Sequence, residues 1–469
     1  MTGGASIGIL WLRHDLRLRD HPALAAALAA HEHVVPVFCF DKRLLHGRHR
    51  SGPRTQFLLE CLADLDGRLR ERGSGLVVRH GKPERELVEL ARELGAGHVH
   101  VSADVSPFAG ERGERVRRAF AAAGIELHSH PGLNAVDVRA VETKAGRPYS
   151  VFSPFFRTWL ELERRELLEA PEALPGLPAG LRQGEIPALE ALGLEQEVAE
   201  PKRGGETEAQ RTLDAFLDDG IHEYVDNHDA LGSERTSRLS PYLHFGCVSA
   251  REIEERLPPG EGPEAFHRQL CWRDFYHHVL VHYPGNATSE FQQRYRGTIE
   301  WSYARKPFEA WTEGRTGYPL VDAGMRQLRH EGWMHNRARL VVGSFLTKDL
   351  GIDWRWGERW FMRLLIDGDE ANNNGNWQWI ASVGVDPQPA FRRIYNPARH
   401  QERFDPQNAY VRRYLPELRD VPDEYMREPW TMPPQTQSEA GCVIGEDYPA
   451  PIVDHKQARI EALERYRIG

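Results

Sequence analysis

From residue 6 to residue 130 the chain alternates short runs of β-branched and apolar residues with helical patterns. The runs are IGILWL, HVVPVFCF, GLVVRHG, GHVHVSA and IELHSH, and between them the helical patterns fall over 22–31, 54–72, 83–94 and 109–123. Short apolar runs separated by helices specify βαβ units and a parallel sheet. The first run leads into Arg13, His14, Asp15, Leu16 and Arg17, with neither GxGxxG nor GxxxxGK. That turn lacks the glycines that bring backbone against a pyrophosphate, so the sequence predicts a doubly wound α/β domain that is not a standard dinucleotide binder.

After this rhythm ends, at residue 131, Pro171, Pro175, Pro178, Pro187 and Pro201 punctuate polar and acidic segments such as EAPEALPGLPAG. Residues 132–204 are therefore expected to be a long inter-domain connection. From residue 205 to 469 amphipathic patterns of 3.6-residue period replace the strand signals, and an all-α domain is expected. A chain of 469 residues exceeds one ordinary core, in agreement with two domains.

Composition removes several classes. No stretch approaches the ~20 apolar residues of a membrane span, and MTGGASIGILWLRHD has no secretory pattern, so the cytoplasm is the expected compartment. Five scattered cysteines (Cys39, Cys61, Cys247, Cys271 and Cys442) suit neither a disulfide framework nor paired metal ligation, and are expected reduced and mostly buried. A net charge of −9 excludes a uniformly basic nucleic-acid binder but not a local basic patch.

Three segments of the helical half carry candidate chemistry. TSRLSPYLHFG, residues 236–246, gathers Thr236, Ser237, Arg238 and Ser240 ahead of a proline that can open a helix, a grouping suited to phosphate oxygens and equally to a plain helix cap. In WMHNRARLVVGSFL, residues 333–346, helical spacing puts Asn336, Arg339, Leu340 and Gly343 on one face, a set that suits a flat heteroaromatic ligand. LIDGDEANNNGNWQW, residues 365–379, places two carboxylates and three consecutive amides between apolar and Trp-rich flanks. Read as a calcium loop from Asp367, it has Ala371, Asn372 and Gln378 where an acid or amide, Gly and Glu are needed, so that reading fails. His278 and His282 lack the Glu of HExxH and are expected to be satisfied histidines; no metal is expected. Pairing of Arg339 with Asp367 would leave Asp369 and Asn373 as acceptors for a ring system such as an isoalloxazine.

LWLRHDLRLRDHPAL at 10–24, TSRLSPYL, CWRDFYHH at 271–278, TGYPLVDAGMRQL at 316–328, WMHNRARL and LIDGDEANNNGNWQW closely resemble, in that order, the photolyase/cryptochrome family. Within it the chain most resembles the class I cyclobutane pyrimidine dimer photolyases. The resemblance implies FAD bent into a U shape in the helical domain. Tyr224, Thr236, Ser237, Arg238, Leu239 and Ser240 match its phosphate side; Asn336, Arg339, Asp367 and Asp369 match the ring and ribitol; Asn373 matches the position against flavin N5. Trp377, Trp354 and Trp301 match the chain of indoles that reduces the photoexcited flavin, and ten of the twelve tryptophans lie after residue 270.

On the substrate side, Trp272 and Trp379 match the indoles that flank a flipped-out dimer, and Arg337 and Arg392 match contacts to DNA phosphates. Residues 385–415 hold Arg392, Arg393, Arg399, Arg403, Arg412 and Arg413 against three acids, which predicts a basic stripe for UV-damaged DNA. Two positions depart from the pattern: Gln269 stands in place of Glu and Leu340 in place of Met, and both bear on repair rate and lesion preference. His335, in WMHN, has the dimer-repair form and not that of a (6–4) enzyme. A light-driven lyase acting as a monomer is therefore expected, with a cryptochrome-type photoreceptor that binds FAD without repair as the alternative. A second, antenna chromophore is expected as well. Arg54 and Asp104 resemble contacts to 8-hydroxy-5-deazaflavin, the loop Asp41 to His46 suits methenyltetrahydrofolate equally, and the residues leave both open.

Overall fold

The computed structural model describes residues 6–386 and 388–467. Its first half alternates β1 (Ile7–Leu12), α1 (Pro22–Ala30), β2 (His33–Phe40), α2 (Lys42–Leu45), α3 (Gly52–Glu71), β3 (Val77–His80), α4 (Pro83–Leu94), β4 (His98–Ser102), α5 (Pro107–Ala123) and β5 (Glu126–His130). The strands pair in parallel in the order β3-β2-β1-β4-β5, so the expected doubly wound α/β domain is present. Caps fix the helix ends: α4 opens on Pro83 and stops at Gly95 in the left-handed region, and Ser106 caps α5 by accepting from the Ala109 amide.

Because successive strand side chains point to opposite faces, β1, β2 and β3 each serve two cores. Ile9, Trp11, Val35, Val37, Val99 and Val101 pack with α4 and α5. Leu10, Leu12, Phe38 and Phe40 join α1 and α3, and through them Tyr242, Phe245, Leu270 and Phe275 of the second half. Burial on both faces explains why β1 and β2 read as nearly continuous apolar runs.

Residues 132–204 do not run as bare chain. They carry α6 (Phe152–Glu161), whose Phe155 and Trp159 are fully buried. Buried Asp274 accepts from Asn134 Nδ2 at 2.6 Å, from the Ala135 amide at 3.0 Å and from Trp159 Nε1 at 3.1 Å, which fastens the connection to the helical half. Further on, the Val78 amide of edge strand β3 donates to the Gln183 carbonyl, so the connection also covers a sheet edge.

The second half is helical: α7 (Glu206–Ala215), α8 (Tyr224–Asn227), α9 (Ser240–Phe245), α10 (Ala250–Arg256), α11 (Glu261–His282), α12 (Arg305–Glu313), α13 (Pro319–Glu331), α14 (Asn336–Ser344), α15 (Trp354–Leu364) and α16 (Glu370–Ile380), with further helices beyond. α16 packs among α11, α14 and α15. At the junction of the halves Gly246 ends α9 with φ +66°, and a Cβ there would stand 2.1 Å from the His14 carbonyl oxygen. That close approach lets the Leu16 amide donate to the Phe245 carbonyl and Arg17 Nη1 to that of Gly246. All five cysteines are buried and free. No described helix is long and apolar enough to cross a membrane.

Candidate functional site

The residues of the three candidate segments converge on one cleft in the helical half. Its larger lobe, about 490 Å³, is lined by Tyr224, Thr236, Ser237, Arg238, Leu239, Ser240, Asn336, Arg339, Asp367 and Asp369, together with Gln269, Trp272, Arg337, Leu340 and Trp379. A second lobe of about 230 Å³ shares Ser240, Asn336, Arg339, Asp367 and Asp369 and adds Asn373 and Trp377. The larger lobe falls in the size range of small-molecule sites, and the smaller one extends it.

Asp367 is the hub. Arg339 Nη2 donates to its Oδ2 at 2.7 Å and Ser240 Oγ donates to the same oxygen at 2.6 Å, while Trp333 Nε1 donates to Ser240 Oγ at 3.2 Å. The expected Arg339–Asp367 pair thus forms, with the carboxylate side chain only 3% exposed. Ser240 does not serve as a helix cap: the cap position of α9 is Leu239, and the hydroxyl is committed to Asp367. Asp367 Oδ1 is buried without a partner. A buried carboxylate oxygen left unpaired is costly, so its place on the cleft wall points to a donor that a ligand brings.

Asp369 departs from expectation, because it is not a free acceptor. It caps α16, accepting from the Asn372 amide at 2.8 Å and from Asn372 Nδ2 at 2.7 Å, and faces His277 Nε2 at 3.3 Å. Burial alone would raise this carboxyl, but His277, His244 and the Asn372 amide together hold it well below the usual range. His277 and His244 are site residues that sequence reasoning did not single out, although both lie inside the quoted motifs. Asn373 keeps the expected place on the second lobe, its Nδ2 donating to the Glu358 carbonyl at 3.0 Å. Arg238 pairs with Glu331 at 2.6 Å and lies over Trp333 at 4.3 Å, with a left-handed φ of +49° that a long side chain seldom adopts.

These features meet what an isoalloxazine dinucleotide needs. Hydroxyls and a guanidinium line one end, and amides and carboxylates line the other, where an unpaired buried oxygen awaits an N–H. Trp377 lines the cleft and packs on Gly357, where a Cβ would come within 2.2 Å of its ring, one turn along α15 from fully buried Trp354. The bridge Ser302↔Ile352 lays partly buried Trp301 beside the start of α15. Trp377 also meets Trp311 edge-on at 6.2 Å between centroids.

The two indoles expected on the substrate side are both held from behind. Phe152 stacks on Trp272 at 3.6 Å and 3°, and the Arg393 guanidinium lies 3.9 Å from the centre of Trp379, whose Nε1 donates to Asp386 at 3.1 Å. Gln269 is exposed at the mouth. The basic stripe needs correction: Arg393 is buried against Asp386, Arg412 pairs with Asp423 and Arg413 with Glu234. Arg337 is likewise paired, with Asp229, and Arg392 is exposed with a bond to Gln388. The positive surface is thus smaller than composition suggests. His335 caps α14 through Nδ1 at 3.1 Å, and burial pushes it down to about 4, so it is neutral. His278, as expected, is a satisfied core residue, bonded to the Val138 carbonyl and the Tyr149 amide.

A separate crevice of about 320 Å³ lies at the carboxyl ends of β1, β2 and β4, where the strand order reverses, and extends to Gly368, Asp369 and Glu370. Ligands of open α/β sheets bind at such a point. Asp104 and Arg54 both line it. Burial would raise Asp104, but Arg13, His14 and Arg112 hold it far below the carboxylate range. Arg54 spends its guanidinium on the carbonyls of Met362 (2.6 Å) and Leu365 (3.2 Å), clamping α3 to the end of α15.

Residues 8–176 match the family model for DNA photolyase, and residues 266–468 match that for the FAD binding domain of DNA photolyase. A deoxyribodipyrimidine photo-lyase of Streptomyces griseus is 42% identical over 98% of this chain and 99% of its own. Among solved structures, a class III photolyase of Agrobacterium tumefaciens superposes with a TM-score of 0.92 at 34% identity, covering 100% of this chain and 98% of that one. A Synechocystis cryptochrome superposes with a TM-score of 0.90 at 29% identity, covering both chains in full (100%). The cleft geometry, the α/β–helical architecture and similarity along nearly the whole length agree, and the chain belongs to the DNA photolyase family.

Proposed function

We propose that the protein is a light-driven cyclobutane pyrimidine dimer photolyase of the class I type, working as a cytoplasmic monomer on UV-damaged DNA. The observation that carries the reading is the juxtaposition of two backed indoles, Trp272 and Trp379, on the cleft that also holds the Arg339–Asp367 pair. A dimer turned out of the duplex costs about a few kcal/mol to extrude, and stacking between indoles already fixed by Phe152 and Arg393 offsets that cost without further ordering.

FAD, when bound, supplies the photoexcited electron donor. The chain's own residues do the rest. Asp367, fixed by Arg339 and Ser240, would offer its unpaired oxygen to a donor on the cofactor, and Thr236, Ser237 and Arg238 would hold its phosphates; Asn373 stands at the second lobe with Trp377. Trp377, Trp354 and Trp301 run from cleft to partly exposed surface, a route by which an oxidising equivalent leaves the site. Gln269 can donate to and accept from the pyrimidine edge as a neutral amide, and Leu340 lines the same lobe. Exposed Arg392 and, once released from Asp229, Arg337 meet DNA phosphates. The crevice bordered by Arg54 and Asp104 takes the antenna chromophore, a deazaflavin or a folate, and the absorption spectrum of natively purified protein tells which.

Purified protein with chemically reduced flavin should restore dimer-containing oligonucleotides under blue or near-UV light and not in the dark. Absence of repair in the light overturns the proposal and leaves the photoreceptor reading.

A further inference from the structure

Strands β4 and β5 carry the patterns HVHVS and ELHSH, and their parallel register sets His98 beside Glu126, His100 beside His128 and Ser102 beside His130. Residues two apart on a strand share a face. Four imidazoles and one carboxylate therefore collect on one face at the sheet edge, and His31, the residue that ends α1, adds a fifth ring. His98 Nδ1 stands 3.1 Å from His128 Nε2, His100 Nδ1 stands 3.0 Å from His130 Nε2, and His31 Nε2 stands 3.1 Å from His100 Nε2. Glu126 reaches both outer rings, at 3.6 Å from His98 Nδ1 and 3.7 Å from His128 Nε2.

We propose that His98, Glu126 and His128 form a binding site for a divalent cation of the zinc type, with water as the fourth ligand. The three donor atoms converge within 4.8 Å of one another. The two ring nitrogens stand 3.1 Å apart, and the two carboxylate oxygens of Glu126 stand one at 3.6 Å from His98 Nδ1 and the other at 3.7 Å from His128 Nε2, spacings near the tetrahedral edge of about 3.3 Å for bonds of about 2.0 Å. Rotation of the carboxylate and the rings would turn one donor atom from each residue toward a cation between them. Two imidazoles and a carboxylate are a borderline donor set that suits zinc, cobalt or nickel better than calcium or magnesium.

Access is open, since the side chains of His98, His128 and Glu126 are 45%, 32% and 65% exposed. α1 ends against the same cluster, and its carbonyl end favours positive charge. An ion here ties the first half of β5, an edge strand held in the sheet by β4 alone, whose other end leads to Leu133 on the crevice and Asn134 on Asp274. The site lies in the α/β half, among residues that take no part in the flavin cleft.

Tag-free, metal-stripped, flavin-loaded protein titrated with Co²⁺ should take up one equivalent and develop the intense visible bands of tetrahedral cobalt. Calorimetric titration with Zn²⁺ should saturate at the same stoichiometry at micromolar concentration. His128→Ala and the milder Glu126→Gln should weaken binding by more than ~100-fold and by ~10-fold or more, respectively. Flavin absorbance should stay unchanged in both variants and report that they fold. Overturning results are the absence of saturable uptake by the parent protein, which would leave a plain ladder of imidazole hydrogen bonds, and undiminished uptake by both variants, which would place the ion elsewhere.

Discussion

The flavin cleft and the crevice at the sheet's switch point share the loop residues Gly368 and Asp369, yet they handle charge in opposite ways. In the cleft Asp367 is fixed from one side and left open on the other: Oδ2 takes two donors while Oδ1 has none. In the crevice charges answer one another. Asp104 lies 3.5 Å from Arg112, Asp41 and Glu84 share Arg43, and Arg54 is spent on backbone carbonyls. The cleft thus keeps a buried acceptor open, whereas the crevice pairs its carboxylates and keeps ring and guanidinium nitrogens open instead, His49 Nδ1 and Arg112 Nε.

Three experiments press on that contrast. The largest effect is expected from Asp367→Ala, which removes the partner of Arg339 and Ser240 together with the acceptor aimed into the cleft. Flavin absorbance of the purified protein should vanish. The stabilisation that bound cofactor adds, about 2.7 kcal/mol at a ligand concentration of about 100 Kd, should disappear from thermal melts. If this variant retains flavin, the unpaired oxygen has no role in binding.

Trp377→Phe should act next. The indole N–H has no partner, so phenylalanine leaves no polar group stranded. Flavin content and repair by chemically reduced enzyme should be kept, while light-driven reduction of oxidised flavin slows by an order of magnitude or more in flash spectroscopy. An unchanged rate would shift the route to other aromatics of the cleft wall.

The smallest effect is expected from Asp104→Asn. It deprives Arg112, which burial already pushes down to about 9, of its opposing charge, and should lower stability by on the order of 2 kcal/mol in denaturant melts while flavin content is unchanged. Equal loss of flavin in Asp104→Asn and Asp367→Ala would mean that the two cavities act as one.

The α/β half was readable because its signals are local. Strand runs, the opening proline of α4 and the glycine that stops it each report on neighbouring residues alone. The connection was less so: α6 lies ahead of the prolines that mark it and is a helix because Phe155 and Trp159 have α11 to pack on. Asp369 was misread for a similar reason. Its cap signal, an acid three residues before Asn372, stands before NNNGN, a poor helix former, and only packing among α11, α14 and α15 makes that run helical. Arg413 and Arg412 looked free because their acids, Glu234 and Asp423, lie outside 385–415, and Arg393 because only the fold buries it against Asp386.

By itself the sequence determined the alternation of strands and helices, which strand residues share a face, and the motifs that mark the family, because the periods of 2.0 and 3.6 residues follow from backbone geometry. The tertiary structure decided which groups are satisfied. Arg339 and Asp367 are 28 residues apart, Ser240 and Asp367 are 127 apart, and the imidazoles of His98 and His128 are 30 apart. Whether a charge or a ring nitrogen is spent or available depends on such distant partners and on the water excluded around them, and no local period encodes that.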